Sequence, residues 1–471
     1  MYYPDPRICS LDGGYYDEVE AAVFPQPRLR YRNQRAAAEV GLEGLSDPEW
    51  MDYFSTFKPL PDNLSKPLAL RYHGHQFTHY NPQLGDGRGF LHAQLRDHQG
   101  RLLDLGTKGS GTTPWSRGGD GRLTLKGGLR EVLAAEQLQA LGVPTCRIFS
   151  LVETGEELVR YDEPSPTRAS VMVRLSHSHI RFGTFQRLAW YKDRARMDRL
   201  VAYVHEHYYP QEEATPVAIL RAVAQRTAET VAGWMVAGFV HGVLNTDNMN
   251  ITGESFDYGP WRFVPHYDPD FVAAYFDEGG LYAYGRQATM VGWNLQQLAR
   301  ALELLVPAAE LAPALEAYEP ALQAAFQRRL LRRLGLQSAG PTQDARLVQR
   351  LLAFAEHSRV GWDQLFFDWY GGVASEARAA VVPHAKSYTG PAFIAFREQL
   401  EQHAPRHPER LHHAFFQEDH PPTMLITEVE ALWDAISHSG HWELLEQKVA
   451  AIRQISEVFP DLGEQEADAA G

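Results

Sequence analysis

Residues 240–261 read VHGVLNTDNMNITGESFDYGPW. Two side chains in this stretch carry hard oxygen donors suited to Mg²⁺ or Mn²⁺, the amide of Asn248 and the carboxylate of Asp257. Between them, MNITGESF predicts a short hairpin that turns at Gly253 and brings the two donors back together. Asp247 stands immediately before Asn248. Adjacent side chains of a loop can face different ways, so one can bind metal while the other meets a substrate hydroxyl. The competing reading is an Asx-rich turn that only caps nearby backbone.

What flanks the loop sets the fold class. FLHAQLRD and RLLDLGTK predict two strands joined by the turn HQG, and the second ends at Lys108. LTLKGGLREVLAAEQLQALG then carries Leu129, Val132, Leu133, Leu138 and Leu141 near helical spacing, with a stop at Gly142. TCRIFSLVETGEELVR and ASVMVRL add further strands. MDRLVAYVHEHYY and TPVAILRAVAQRTAETVAGWMVAGFV are amphipathic helices, and the second leads directly into the loop. More helices follow in 293–335, 343–357 and 391–455. A kinase-type loop runs His-Arg-Asp, then Asn five residues on, then Asp-Phe-Gly. Here Val243 takes the place of the first Asp, Asn248 falls seven residues after His241, and Asp257-Tyr258-Gly259 follows. The expectation is an α+β, bilobal protein-kinase-like fold: a β-rich N-lobe with one key helix, and a larger helical C-lobe with additional C-terminal helices. The expected divisions are an irregular N-terminal extension over 1–66, a nucleotide-binding N-lobe over 67–195, a C-lobe with the metal loop over 196–375, and a helical extension over 376–471.

Several upstream residues suit phosphate. Gly85, Gly87 and Gly89 in LGDGRGF alternate just before a strand, where backbone without Cβ can approach a phosphate closely. A turn that only needs glycine conformations is an equal reading of so short a motif. In kinase-like folds a strand Lys holds nucleotide phosphates and a helix Glu orients it, roles open to Lys108 and Glu131. A solvated strand end and a surface carboxylate are the bland alternatives. Residues 105–130 hold Lys108, Arg117, Arg122, Lys126 and Arg130 against the single acid Asp120, an imbalance that predicts a polyphosphate site in an acidic chain. Arg174 and Arg181, seven residues apart, are suited to bidentate capture of phosphate oxygens. His73, His75 and His79 have metal-ligand spacing, but a hydrogen-bonded structural cluster is the better reading. FQRRLLRRLG at 326–335 predicts a helix with its arginines on a solvated face and Leu330 and Leu331 towards the core.

Composition narrows the partners. A formal charge of −14 opposes broad attraction to nucleic acid or anionic membrane. Cys9 and Cys146 are too few for a disulfide framework, which fits the cytoplasm. The start, MYYPDPRICSLDGGYY, lacks the basic and apolar regions of a secretory signal. The apolar run VAGWMVAGFV at 231–240 is well short of the roughly 20 residues needed to span a bilayer.

Taken together, GHQFTHYNPQLGDGR, KGSGTTPWSRGGDGR, LREVLAAEQLQALGVPT, SHIRFGTF, HGVLNTDNM and DYGPW resemble the selenoprotein O family, kinase-like proteins that act as protein adenylyltransferases. The resemblance runs from about residue 20 to 305, with looser helical similarity to about 375. It implies a nucleotide flipped relative to kinases, with the α-phosphate facing the acceptor. It also implies ATP contacts from Gly85, Gly87, Arg88, Lys108, Asp120, Gly121, Arg174, Arg181 and Asp257. Lys108 would pair with Glu131, Asn248 and Asp257 would bind Mg²⁺ or Mn²⁺, and Asp247 would accept the proton. AMP would pass to a Ser, Thr or Tyr hydroxyl of a protein substrate, and some members use UTP with Mn²⁺. Many members carry a Cys or selenocysteine near the C-terminus, whereas this chain ends in EQEADAAG with no Cys beyond 146. HPPTMLITEVEALWDAISHSGHWELLEQKVAAIRQ also departs from the usual tail and predicts helices packed on the large lobe. A phosphotransferase and an ATP-binding pseudokinase without turnover are the alternative functions, and Val243 counts against the first.

Overall fold

The computed structural model of the chain describes residues 1–161 and 163–463, so the terminal EQEADAAG lies outside the described residues. The N-lobe is built on an antiparallel sheet whose strands come from far apart in the chain. The first two are β1 (Tyr16–Glu18) and β2 (Arg28–Arg32), followed by the short helices α1 (Gln34–Glu39) and α2 (Asp47–Phe54). Next come β3 (Leu68–Leu70), the separate hairpin β4 (Gly74–Gln76) and β5 (His79–Asn81), then β6 (Leu91–Arg96) and β7 (Leu102–Lys108). β8 (Leu123–Thr124) leads into helix α3 (Leu125–Ala140), and β9 (Arg147–Leu158) and β10 (Thr167–Ser176) complete the lobe. Among the described residues the main sheet has the order β1-β3-β6-β7-β10-β9-β2, with β8 also paired to β10.

Residues 1–66 are therefore not the irregular wrap that their prolines predict. They supply both edge strands, β1 against β3 and β2 against β9, and α2 begins with a Ser46/Glu49 capping box. Trp50 and Phe54 of α2 are fully buried against Phe149 of β9. These elements are too short to show a period, which is why composition hides them.

On the other face lies α3, whose Leu129, Val132, Leu133 and Leu138 are buried. Thr124 caps its N-terminus by accepting from Gly127 N, and the chain leaves through Gly142 at φ +72°.

The C-lobe is helical: α4 (Phe182–Trp190), α5 (Arg194–Tyr208) and α6 (Pro216–Ala237), then after the loop α7 (Gln287–Leu302), α8 (Ala308–Leu315), α9 (Tyr318–Arg333) and α10 (Pro341–Ser358). α6 ends at Gly238 in the left-handed region, and the chain enters β11 (Phe239–His241), which pairs with β12 (Trp261–Phe263) on the far side of the loop. α11 (Trp362–Asp368), α12 (Glu376–Ala379) and α13 (Gly390–Leu400) extend the lobe, and α14 (Ile426–Ser439) and α15 (Glu443–Val458) follow.

Two expectations fail here. The arginines of α9 do not form a solvated face: Arg328 and Arg329 pair with Glu229 of α6, Arg333 pairs with Asp363, and Arg329 and Arg332 are buried. Helix α9 is covered on more than one side, so its charges are neutralised by partners rather than by water. The last helices do not pack solely on the C-lobe either. α15 lies on α3, sharing its core through Val449, Ile452 and Ile455.

Candidate active site

Lys108 is the last residue of β7, and Glu131 lies in the second turn of α3. Their buried side chains form an ion pair between sheet and helix, and Glu131 Oε2 also accepts from Tyr258 N at 3.1 Å. Lys108 Nζ reaches Asp257 Oδ1 at 2.7 Å. Arg174 of β10 stands 3.4 Å from the same oxygen, and Arg181 stands 3.5 Å from Asp257 Oδ2. Burial alone would raise the Asp257 carboxyl, but Lys108, Arg174 and Arg181 together hold it well below the usual carboxylate range. The two guanidiniums lie over the Phe256 ring at 5.0 and 4.8 Å, so the residue before Asp257 orients them.

The loop does turn at Gly253, whose N–H donates to Asn250 O at 3.0 Å with φ +76°, but among the described residues no strand ladder flanks the turn. Asn250 and Ser255 instead form isolated bridges to Arg181 and Thr145, because neighbouring segments take the backbone groups a ladder would need. Ile251 N donates to Ile180 O and Ser255 N to Pro144 O. The two metal-ligand candidates still converge: Asn248 Nδ2 donates to Asp257 Oδ2 at 3.0 Å.

Asp247 is buried, and its Oδ1 has no hydrogen-bond partner among the described residues. Burial pushes its carboxyl up to about 6 against the pull of Arg181. Strand β4 lies directly on it: a Cβ at Gly74 would stand 2.9 Å from Asp247 Oδ1, so only glycine leaves that oxygen room. The β4–β5 hairpin also fixes the preceding residues. His75 N donates to Thr246 Oγ1 at 2.7 Å and Phe77 N to Asn245 Oδ1 at 3.1 Å. Thr246 Oγ1 in turn donates to Gln186 Oε1 at 2.7 Å.

Asp247 and Asp257 both line a cleft of about 720 Å³ between the lobes, whose described lining omits Val243. Gly85, Gly87 and Arg88 form one wall, with Gly85 packed so closely on Trp115 that a Cβ would lie 2.4 Å from its ring. Buried Lys108, Arg174 and Arg181 line its deep part, and exposed Asp120 and buried Gly121 also line it. Of the five cations between 105 and 130, Lys108, Arg117 and Arg122 line the cleft, but Arg122 is paired with Glu156. Lys126 and Arg130 turn instead to Glu430 of α14, since α3 presents them to that helix.

Two cleft residues escaped the sequence reading. Arg160 grips Asp120 through both Nη1 and Nη2, at 2.8 and 3.1 Å, and no motif marks it. Asp86 pairs with Arg181 at 3.3 Å and accepts from Leu70 N; it sits in LGDGRGF, where its flanking glycines drew the attention. The histidines do not converge: His73 bonds Tyr80, His75 bonds Gln186, and His79 turns to Phe77 O.

Asn248 and Asp257 have donor chemistry that fits a divalent ion: the Asn248 amide abuts Asp257, and turning that amide over presents its oxygen. A sheet lobe with a Lys–Glu pair, a helical lobe opening on the loop that carries Asp247 and Asp257, and a cleft between them make a bilobal kinase-like α+β fold.

A family profile described as Protein adenylyltransferase SelO matches residues 2–453. The chain belongs to the SelO family. Protein nucleotidyltransferase YdiU of Synechocystis sp. is 51% identical over 74% of this chain and 74% of its own length. Protein nucleotidyltransferase YdiU of Gloeobacter violaceus is 43% identical over 96% and 95%. Among solved structures, the Toxoplasma gondii specific rhoptry antigen kinase domain is 12% identical, covering 56% of this chain and 82% of its own at a TM-score of 0.27. The SelO match takes in the N-lobe, the loop with Asp247 and Asp257, and most of α15.

Proposed function

We propose that the chain binds ATP in the interlobe cleft with the α-phosphate towards Asp247 and transfers AMP to a Ser, Thr or Tyr hydroxyl of a target protein. The observation that carries this is the placement of Asp247: a buried carboxylate with one unpartnered oxygen, on the cleft wall beside the cationic ring around Asp257. Asp247 takes the hydroxyl proton, the oxygen attacks the α-phosphorus, and the bond to the β-phosphate breaks to release pyrophosphate. Lys108, Arg174 and Arg181 neutralise charge that grows on the phosphates, and their partners hold them in place beforehand. Asn248 and Asp257 would hold Mg²⁺ or Mn²⁺, which supplies further neutralisation of the triphosphate. Val243 needs no replacement, because the base stands four residues further on.

Two free cysteines and a formal charge of −14 support a cytoplasmic setting and a protein rather than nucleic-acid partner. Among the described residues no helix is long and apolar enough to cross a membrane.

ATP labelled at the α- or the γ-phosphate tests the reading. Incubation with metal and a protein mixture should leave covalent label only from the α-position. Transfer of γ-label would establish a phosphotransferase instead, and nucleotide binding without any transfer would establish a pseudokinase.

A further inference from the structure

Helix α3 carries Glu131, so whatever holds α3 sets the reach of Lys108. The structure shows that hold coming from the C-terminal helices at three levels. Near the N-terminus of α3, Lys126 Nζ meets Glu430 of α14 at 2.6 Å, with Arg130 at 4.0 Å from the same carboxylate. One turn past Glu131, Glu136 is buried and receives Arg453 of α15 in a two-pronged pair, both contacts at 2.7 Å. At the C-terminal end, Gly142 packs so tightly on Leu462 and Gly463 that a Cβ there would stand 2.4 Å from Leu462 backbone. The turn between α14 and α15 is seated as well, with Trp442 under the guanidiniums of Arg30 of β2 and Arg168 of β10, at 4.6 and 6.0 Å. Lys448 of α15 binds Glu428 of α14 at 2.6 Å, so the two helices act as one piece.

A merely covering pair of helices would need apolar contact alone. Here charges that the sequence offers as phosphate ligands are spent on the C-terminal pair, and Glu136 has its counter-ion from a residue 317 positions away.

We propose that Glu430 and Arg453 are positioning residues, and that α14–α15 form a built-in clamp that keeps α3 docked so that Glu131 holds Lys108 towards the nucleotide. The proposal rests on the reading of the cleft as an ATP site. The clamp does not touch substrate; it acts through α3.

The test uses the full chain and a charge swap on the half-buried Lys126–Glu430 pair. Glu430→Lys sets like charges against Lys126 and Arg130, and Glu430→Lys with Lys126→Glu restores an opposite pair. Affinity for ATP is measured by calorimetry, KM and kcat by α-label transfer, and Tm by thermal melting. The single variant should bind ATP about 3- to 30-fold more weakly, the span of mutations acting through a coupling element, with a matching rise in KM and a native melting transition. The double variant should recover most of the affinity. A purely structural role moves Tm and leaves ATP affinity at a lower temperature unchanged; that result, or a double variant as weak as the single one, overturns the clamp. Arg453→Ala strands the buried Glu136 and can unfold the chain, so Arg453→Lys, which keeps the charge, is its companion and should bind more tightly than Arg453→Ala whenever both fold. The calorimetric series stands apart from turnover. Absence of α-label transfer by the unaltered protein would remove the proposed function, while loss or retention of ATP affinity in Glu430→Lys still decides the clamp.

Discussion

At the scale of single residues, the charges in the deep part of the cleft are compensated by one another. Lys108 answers both Glu131 and Asp257, Arg181 answers Asp86 and Asp257, and Asp120 has Arg160. Among the described residues that line the cleft, Asp247 keeps a buried side-chain oxygen without a partner. Asp247→Asn keeps the shape and removes the base, so α-label transfer should fall by about 10²- to 10⁴-fold with ATP affinity nearly intact; a comparable loss of ATP affinity in calorimetry would mean that Asp247 serves binding instead. Lys108→Ala leaves Glu131 and Asp257 without their shared cation, and removing one partner of a buried pair costs about 3–5 kcal/mol. That variant should lose ATP binding in calorimetry and melt at a lower temperature. Lys108, Glu131, Asn248, Asp257 and Asp247 were legible because each lies in an ordered motif. Arg160 was not, since nothing in its local sequence distinguishes an arginine that reaches across 40 positions to Asp120.

At the scale of elements, position in the chain and position in space diverge most at the β4–β5 hairpin. Its sequence, GHQFTHYN, reads as histidine spacing, whereas in the fold it lies across the loop before Asp247 and holds Asn245 and Thr246. Gly74→Ala introduces a methyl group 2.9 Å from Asp247 Oδ1 and 3.1 Å from Leu84. The loop must shift, so kcat should drop while KM for ATP changes little; initial rates against ATP concentration separate the two. Long periodic elements were readable in outline: the strands ending at Lys108, helix α3 and helix α6 appear where the apolar pattern places them. Within MNITGESF the turn at Gly253 forms but the flanking ladder does not, because the pattern of a turn does not show that Ile180 and Pro144 have already taken the backbone partners. Likewise an amphipathic pattern gives α15 an apolar face without saying that α3 is what covers it.

At the scale of the molecule, the buried histidines make stability depend on pH. Burial lowers His73, His92 and His241 to about 4 and His177 to about 3. The unfolded chain protonates such groups near 6.5, so between there and about 4 it binds more protons than the folded one. Their contribution is complete above about pH 6.5 and is lost as pH falls, with His92 alone worth about 3 kcal/mol once pH is below 4. Urea unfolding at pH 7.5 and 5 should show this fall, and His92→Leu, in a site lined by Phe54 and Phe57, should flatten it. Residues from opposite halves of the sequence also meet: Arg35 of α1 pairs with Glu457, and Arg453 reaches Tyr31 and Asn33. On a ribosome adding roughly 5–20 residues per second, tens of seconds separate the emergence of these partners. Through that interval β2 and α1 lack these side-chain partners and α3 lacks the helix that covers it. If the clamp proposed above holds, a message truncated before α15 would yield a chain that binds ATP more weakly than the full one.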